Sequence, residues 1–273
     1  MTKKHIHIAA AVLSLASVTG CTDSTGRHTA ESLTTKTVTV ERTIRLTDSP
    51  SSPFYDIKID LTYFTPLQDE IARRMNQKIV RYVMDTTDLS PKEATRVYIN
   101  QLYNDYRREM LDFYLADLKE NNGDVSGLPN YNYAYHLDTE VNDGYKGTIV
   151  YKLEGYRYSA GAHGINMHQY LNFDKDGNTL SLTDIFEEGF ETELLRIVTQ
   201  ELMKKFHVTT TEALRDKGFV DATQLYVTEN FELDDDEIEF VYNEYEIAPY
   251  CMGTIKVDID YKDIKHLMKK EWR

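Results

Sequence analysis

Ser159 and His163 are four residues apart in the stretch Tyr158-Ser159-Ala160-Gly161-Ala162-His163-Gly164, a spacing that could bring a hydroxyl nucleophile to an imidazole base. The flanks argue against that chemistry. A G-x-S-x-G elbow would hold the serine on a strained turn, whereas here Tyr158 precedes it and Gly161 follows by two, and no acid is spaced to orient the histidine. His163 and His168 could ligate a metal, but ligands on one strand face must differ by an even number and these differ by five. Residues 172–183 start like a calcium loop, with Asn172, Asp174, Asp176 and Gly177 in order. The twelfth position is Thr183, so the bidentate glutamate is missing and the segment reads as a hairpin. The 45 acidic residues include no spacing that selects a glycosidase pair. The sequence therefore assigns no catalytic residue, no metal and no cofactor.

What remains is geometry. Gly161 and Gly164 permit positive φ or close backbone approach, and the small Ser159, Ala160 and Ala162 admit a neighbouring chain or a ligand. The stretch reads as a tight corner between two strands, with a ligand contact added to it as the alternative. A second segment, Tyr245-Glu246-Ile247-Ala248-Pro249-Tyr250, offers two aromatic anchors around a proline turn. Tyr245 and Tyr250 are expected to pack beside the corner. The candidate ligand-binding residues are thus Tyr158, Ser159, Gly161, His163, Gly164, Tyr245 and Tyr250.

Positioning these loops requires strands on both sides. Residues 37–47 and 54–64 alternate β-branched and polar side chains and predict two half-buried strands. A helix is expected from Pro66, with Leu67, Ile71, Met75, Ile79 and Val83 on its apolar stripe. A longer helix follows, with Ser90 as N-cap, Pro91 at its first position and Glu93 completing a capping box; its Tyr98, Leu102, Tyr106, Met110 and Tyr114 recur every four residues. Residues 121–130 form a loop. Strands resume around Tyr131–Asp143 and Gly147–Ala160, joined through Asp143-Gly144 as a tight hairpin, and a second hairpin turns at Asp176-Gly177. Helical patterns at 190–206 and 211–217, strands at 238–243 and 254–260, and a short helix from Tyr261 complete the chain. The expected class is α+β, with mostly antiparallel sheets, packed helices and two closely associated subdomains, 38–143 and 144–273.

The N-terminus carries Lys3 and Lys4, then an apolar run too short to span a bilayer. Val18-Thr19-Gly20-Cys21 resembles the lipobox of bacterial lipoproteins, which implies a signal peptide over 1–20 and lipid on Cys21. Residues 21–37 then serve as a flexible tether. Loss of the first 20 residues leaves 29 basic against 45 acidic residues, net −16. That balance excludes nucleic acid and anionic membrane surfaces as partners and fits an envelope protein or one with a basic partner. The membrane is met through the N-terminal lipid alone. With Cys21 lipidated, Cys251 has no intrachain thiol to pair with.

The run from Tyr158 to Phe186, YSAGAHGINMHQYLNFDKDGNTLSLTDIF, together with FVYNEYEIAPYCMGTIKVDIDYKDI from Phe240 to Ile264, resembles the C-terminal domain shared by RsiV-type anti-sigma factors and PdaC-type peptidoglycan deacetylases. Residues 38–143 are similar to the N-terminal partner domain of such proteins in the order of their elements. Ala160, Cys251 and Asp260 depart from the family pattern. The sequence shows neither a sigma-binding segment with a transmembrane helix nor a polysaccharide-deacetylase domain. The resemblance implies an extracytoplasmic binding module, lipid-anchored in the cell envelope, whose ligand is a lysozyme-like muramidase or peptidoglycan glycan. The alternative it leaves is an envelope carbohydrate-active enzyme, of deacetylase or hydrolase type, with an unrecognised carboxylate site.

Overall fold

The structure, a computed structural model, describes residues 33–273; the expected signal segment and Cys21 lie outside the described residues. Strands β1 (Thr34–Arg45) and β2 (Phe54–Thr65) form an antiparallel hairpin. Helices α1 (Glu70–Met84) and α2 (Pro91–Glu120) then cross over to β3 (Tyr133–Asp143), which runs parallel to β2. Strands β4 (Ile149–Ser159) and β5 (Ile165–Phe173) extend the sheet antiparallel, in the order β1-β2-β3-β4-β5. The second half carries α3 (Leu182–Ile185), α4 (Glu191–Lys205) and α5 (Thr211–Asp216) ahead of a small antiparallel sheet. That sheet has the order β6 (Phe231–Leu233), β7 (Glu237–Tyr242), β8 (Ile255–Asp260), and α6 (Tyr261–Ile264) follows it. The class is α+β. Among the described residues no helix is long and apolar enough to cross a membrane.

Alternation in β2 buries Tyr55, Ile57, Ile59, Leu61 and Tyr63 on one face, and β3 adds Tyr133, Tyr135 and Leu137. The helices cover this face. Tyr106 of α2 meets Tyr55 at 5.4 Å and Tyr133 at 4.8 Å between ring centroids, and its hydroxyl donates to the Tyr131 carbonyl, so the tyrosine stripe is core with its polar tips satisfied. Helix α2 starts as the sequence requires, with Ser90 and Glu93 capping each other's backbone N–H. Helix α1 does not start at Pro66. Asp69 is its cap, accepting from the N–H of Ile71 and Ala72, because a carboxylate there satisfies two orphan donors that a proline cannot. Pro66 sits in the preceding turn and Leu67 is exposed, so the buried stripe rotates to Ala72, Met75, Ile79 and Met84.

The β3–β4 turn also differs from the tight hairpin expected at Asp143-Gly144. It spans five residues, with positive φ at Lys146 and Gly147 while Gly144 is extended. Glycine is needed at 144 for space, since a Cβ there would lie 2.7 Å from the Leu233 carbonyl oxygen. The expected division at 143/144 falls in this turn, inside the five-stranded sheet; the buried cores part later, between Phe173 and Leu182.

The seam between the two sheets is made by side chains. The outer edge of β5 would leave its N–H groups bare, and side-chain oxygens from the second half, two amides and a carboxylate, take them in turn. Asn243 Oδ1 accepts from His168 N–H (2.7 Å), Asn230 Oδ1 from Tyr170 N–H (3.0 Å), and Glu244 from Asn166 N–H (3.2 Å). Asn172 reciprocates, accepting from Leu233 N–H and donating to the Phe231 carbonyl. Beside this ladder, Lys152 pairs with Glu232 (2.6 Å) and Lys256 with Glu239 (2.8 Å), both around Tyr170.

Candidate functional site

Strand β4 ends at Ser159 and β5 begins at Ile165, so residues 160–164 form the corner that the sequence suggests. Its backbone differs in detail from the expectation. The left-handed residue is Ala160 (φ 53°), and neither Gly161 nor Gly164 takes positive φ. Gly164 serves close approach instead: a Cβ would lie 2.3 to 2.4 Å from the Tyr156 ring, which covers it. The Tyr158 hydroxyl donates to the Gly161 carbonyl (2.9 Å) and accepts from Asn130 Nδ2 (2.7 Å), which folds the loop back on itself.

This loop holds the His163 ring outward against the second half of the protein. Nδ1 lies 2.9 Å from the Gly164 carbonyl, so it carries the proton, and Nε2 is left to accept from the Tyr245 hydroxyl at 3.2 Å. Both nitrogens are engaged, and Ser159 is not their partner. Tyr250 stacks on His163 with centroids 3.7 Å apart and planes 18° from parallel, while Tyr245 lies 6.3 Å from His163 and 5.8 Å from Tyr250. Three of the sequence-selected residues thus form one aromatic plate, with Tyr158, Gly161 and Gly164 shaping the loop beneath it. Ser159 pairs across the sheet with Tyr133 and is exposed on the helix-bearing face, away from the face of Tyr156 and Tyr158.

The loop from Asn243 to Tyr250 is held in place by the seam. Asn243 and Glu244 are bonded to β5, and the next residue, Tyr245, adopts φ 71° with 56% of its surface exposed. A tyrosine in the left-handed region costs about 1–2 kcal/mol, which the two anchoring side chains must offset. Pro249 and the buried Ile247 fix the other end, Ile247 through its carbonyl to Val220 N–H.

Sequence reasoning missed a polar group on the opposite face of the large sheet. Asp56 of β2 and His136 of β3 meet at 2.9 Å, with the Tyr156 ring 5.7 Å from His136. They are 80 residues apart, and only the parallel β2–β3 register brings them together. Nearby, partial burial and the charges of Asp60, Glu154 and Glu140 push the Asp138 carboxyl up from its ordinary range. His168 Nδ1 is buried without a hydrogen bond and lies 3.6 Å from Glu154. Among the described residues no three His, Cys, Asp or Glu side chains are grouped to hold a metal ion.

An α+β fold with two abutting sheets has known counterparts. Residues 183–262, which include Tyr245 and Tyr250, match the family model described as protein of unknown function (DUF3298). Over 140 residues, half of this chain, the sequence is 25% identical to the peptidoglycan-N-acetylmuramic acid deacetylase PdaC of Bacillus subtilis (strain 168), and it spans 30% of that protein's length. The crystal structure of a DUF3298 family member from Bacteroides fragilis NCTC 9343 superposes with a TM-score of 0.78, covering 88% of this chain and 94% of that one at 28% identity. A DUF3298 family protein from Pseudomonas aeruginosa PAO1 shares the fold at TM-score 0.60 and 19% identity, over 90% and 98% of the two chains.

Proposed function

We propose that this chain is an extracytoplasmic cell-envelope binding module, held to the membrane by lipid on Cys21, that binds peptidoglycan glycan through the His163–Tyr250–Tyr245 plate. The observation that carries the reading is the stack itself: three rings from two loops far apart in sequence, with Tyr245 exposed and strained into position. Flat ring faces suit the apolar faces of sugar rings. The likeness to a relative whose name gives an N-acetylmuramic acid substrate supports a cell-wall ligand. An enzyme would need a positioned acid and base, and both His163 nitrogens are engaged, Nδ1 with the Gly164 carbonyl and Nε2 with the Tyr245 hydroxyl.

A second reading, a lysozyme-like cationic muramidase as partner, is favoured by net charge −14. Titration calorimetry of the chain against glycan fragments and against lysozyme, at low and physiological salt, separates the two. Glycan binding that survives salt and falls at least about tenfold in His163→Ala and Tyr250→Ala supports the first reading. Lysozyme binding that survives salt with no glycan binding replaces it by the second. Turnover of the glycan overturns both in favour of an enzyme.

A further inference from the structure

The helices do not cover the whole of the face they pack on. At the end of β4 and β5 next to the plate, Arg157, Ser159, Ile165 and Met167 all point to the helix-bearing side and all are exposed. Cross-strand register sets the floor: one row runs Tyr135, Arg157, Ile165, and the next runs Leu137, Gly155, Met167. Gly155 lets Met167 lie flat, since the methionine Cε sits 3.3 Å from where a Cβ would stand. The flank of α2 forms a wall, with Tyr98 edge-on to Tyr135 at 5.6 Å and Glu109 accepting from the Tyr133 hydroxyl at 3.1 Å.

Arg157 stands out in this setting. The protein is strongly acidic, yet among the described residues this guanidinium has no carboxylate within ion-pair distance and no hydrogen bond. Its charge favours the ionised form of Tyr55, Tyr133 and Tyr135, against the larger opposing effect of their burial. Glu109 accepts from the Tyr133 hydroxyl through Oε2 alone. A free guanidinium beside an apolar shelf matches a ligand that carries a carboxylate and a methyl group a few ångströms apart.

We propose that this uncovered end of the β4–β5 face is a subsite for an acidic N-acylated sugar, with Arg157 taking the carboxylate and Ile165 and Met167 taking the acyl methyl. The muramic acid unit of a glycan has both groups. The assignment rests on the glycan reading of the adjoining plate and adds to it a preference between sugars.

The test uses the full chain in mild detergent and two probes by calorimetry: a tetrasaccharide alternating N-acetylglucosamine with N-acetylmuramic acid bearing free lactyl carboxylates, and the neutral N-acetylglucosamine tetrasaccharide. One added charge-assisted hydrogen bond gives the acidic probe about tenfold tighter binding. Arg157→Gln, at an exposed position and checked by an unchanged melting midpoint, abolishes that preference while leaving the neutral probe's affinity as it was. His163→Ala weakens both probes equally. Equal binding of the two probes by the unaltered chain, or a preference that persists in Arg157→Gln, overturns the subsite and leaves the plate standing. Failure of both probes to bind overturns the glycan reading and the subsite with it.

Discussion

Replacing Asn230 by alanine tests whether the seam holds the two halves together. Asn230 is 6% exposed; its Oδ1 accepts from Tyr170 N–H at 3.0 Å, and its Nδ2 donates to the carbonyls of His168 (2.8 Å) and Val241 (3.1 Å). Alanine deletes three hydrogen bonds of about 1 kcal/mol net each and leaves a buried N–H bare, a further penalty of about 1–3 kcal/mol. Water entering beside the partly exposed His168 recovers some of this, so the expected loss is about 3 kcal/mol. That is a large share of the roughly 5–15 kcal/mol typical of a folded domain. Urea unfolding at neutral pH reads it as a lower midpoint with unchanged slope, as expected if the halves unfold together. Asn243→Ala, which removes the equivalent bonds to His168 from a less buried position, should cost about half as much. Asn230→Asp keeps the acceptor but faces two carbonyl oxygens with an anion, so it should be no better than alanine at pH 7 and recover on acidification. A loss below about 1 kcal/mol for Asn230→Ala, or an equal loss for the exposed Asn130→Ala, would refute the claim that these amides stand in for a neighbouring strand.

Gly164→Ala should destabilise by about 1–3 kcal/mol, because its methyl meets the Tyr156 ring; thermal melts of the Tyr156→Ala background should show that cost removed, and persistence there would place the strain elsewhere. Asp138 has a raised carboxyl in the folded state, so its contribution is fully favourable only below the unfolded value of about 3.9 and is lost as pH rises through the folded value. Asp138→Asn should therefore be more stable than the parent at pH 7 and lose that advantage near pH 3, as followed by melting midpoint against pH. Cys21→Ala should shift the chain from the detergent phase to the aqueous phase on Triton X-114 partitioning; unchanged partitioning would rule out the lipid anchor.

The sequence by itself determined those elements whose signals are local. Ser90, Pro91 and Glu93 cap α2 through contacts within one turn, and the alternation of β2 selects its buried face with no need of a partner. It also paired the two loops correctly, since a bulky aromatic segment and a small-residue corner are complementary wherever they meet. Register and order were decided elsewhere. Nothing near Asp56 announces His136, because the parallel pairing that joins them depends on how α1 and α2 cross over. The three-residue β6 has too few side chains to show a period, and it exists because Asn172 and β7 hold it from both sides. The left-handed turn falls on Ala160, with two glycines nearby that do not take it, because the corner's path is set by the β4–β5 register and by the Tyr158 bond to Gly161. Local propensity reaches about one turn along the chain. The plate and the seam arise from contacts 59 to 87 residues apart, where free energy is decided by which backbone groups would otherwise be left without partners.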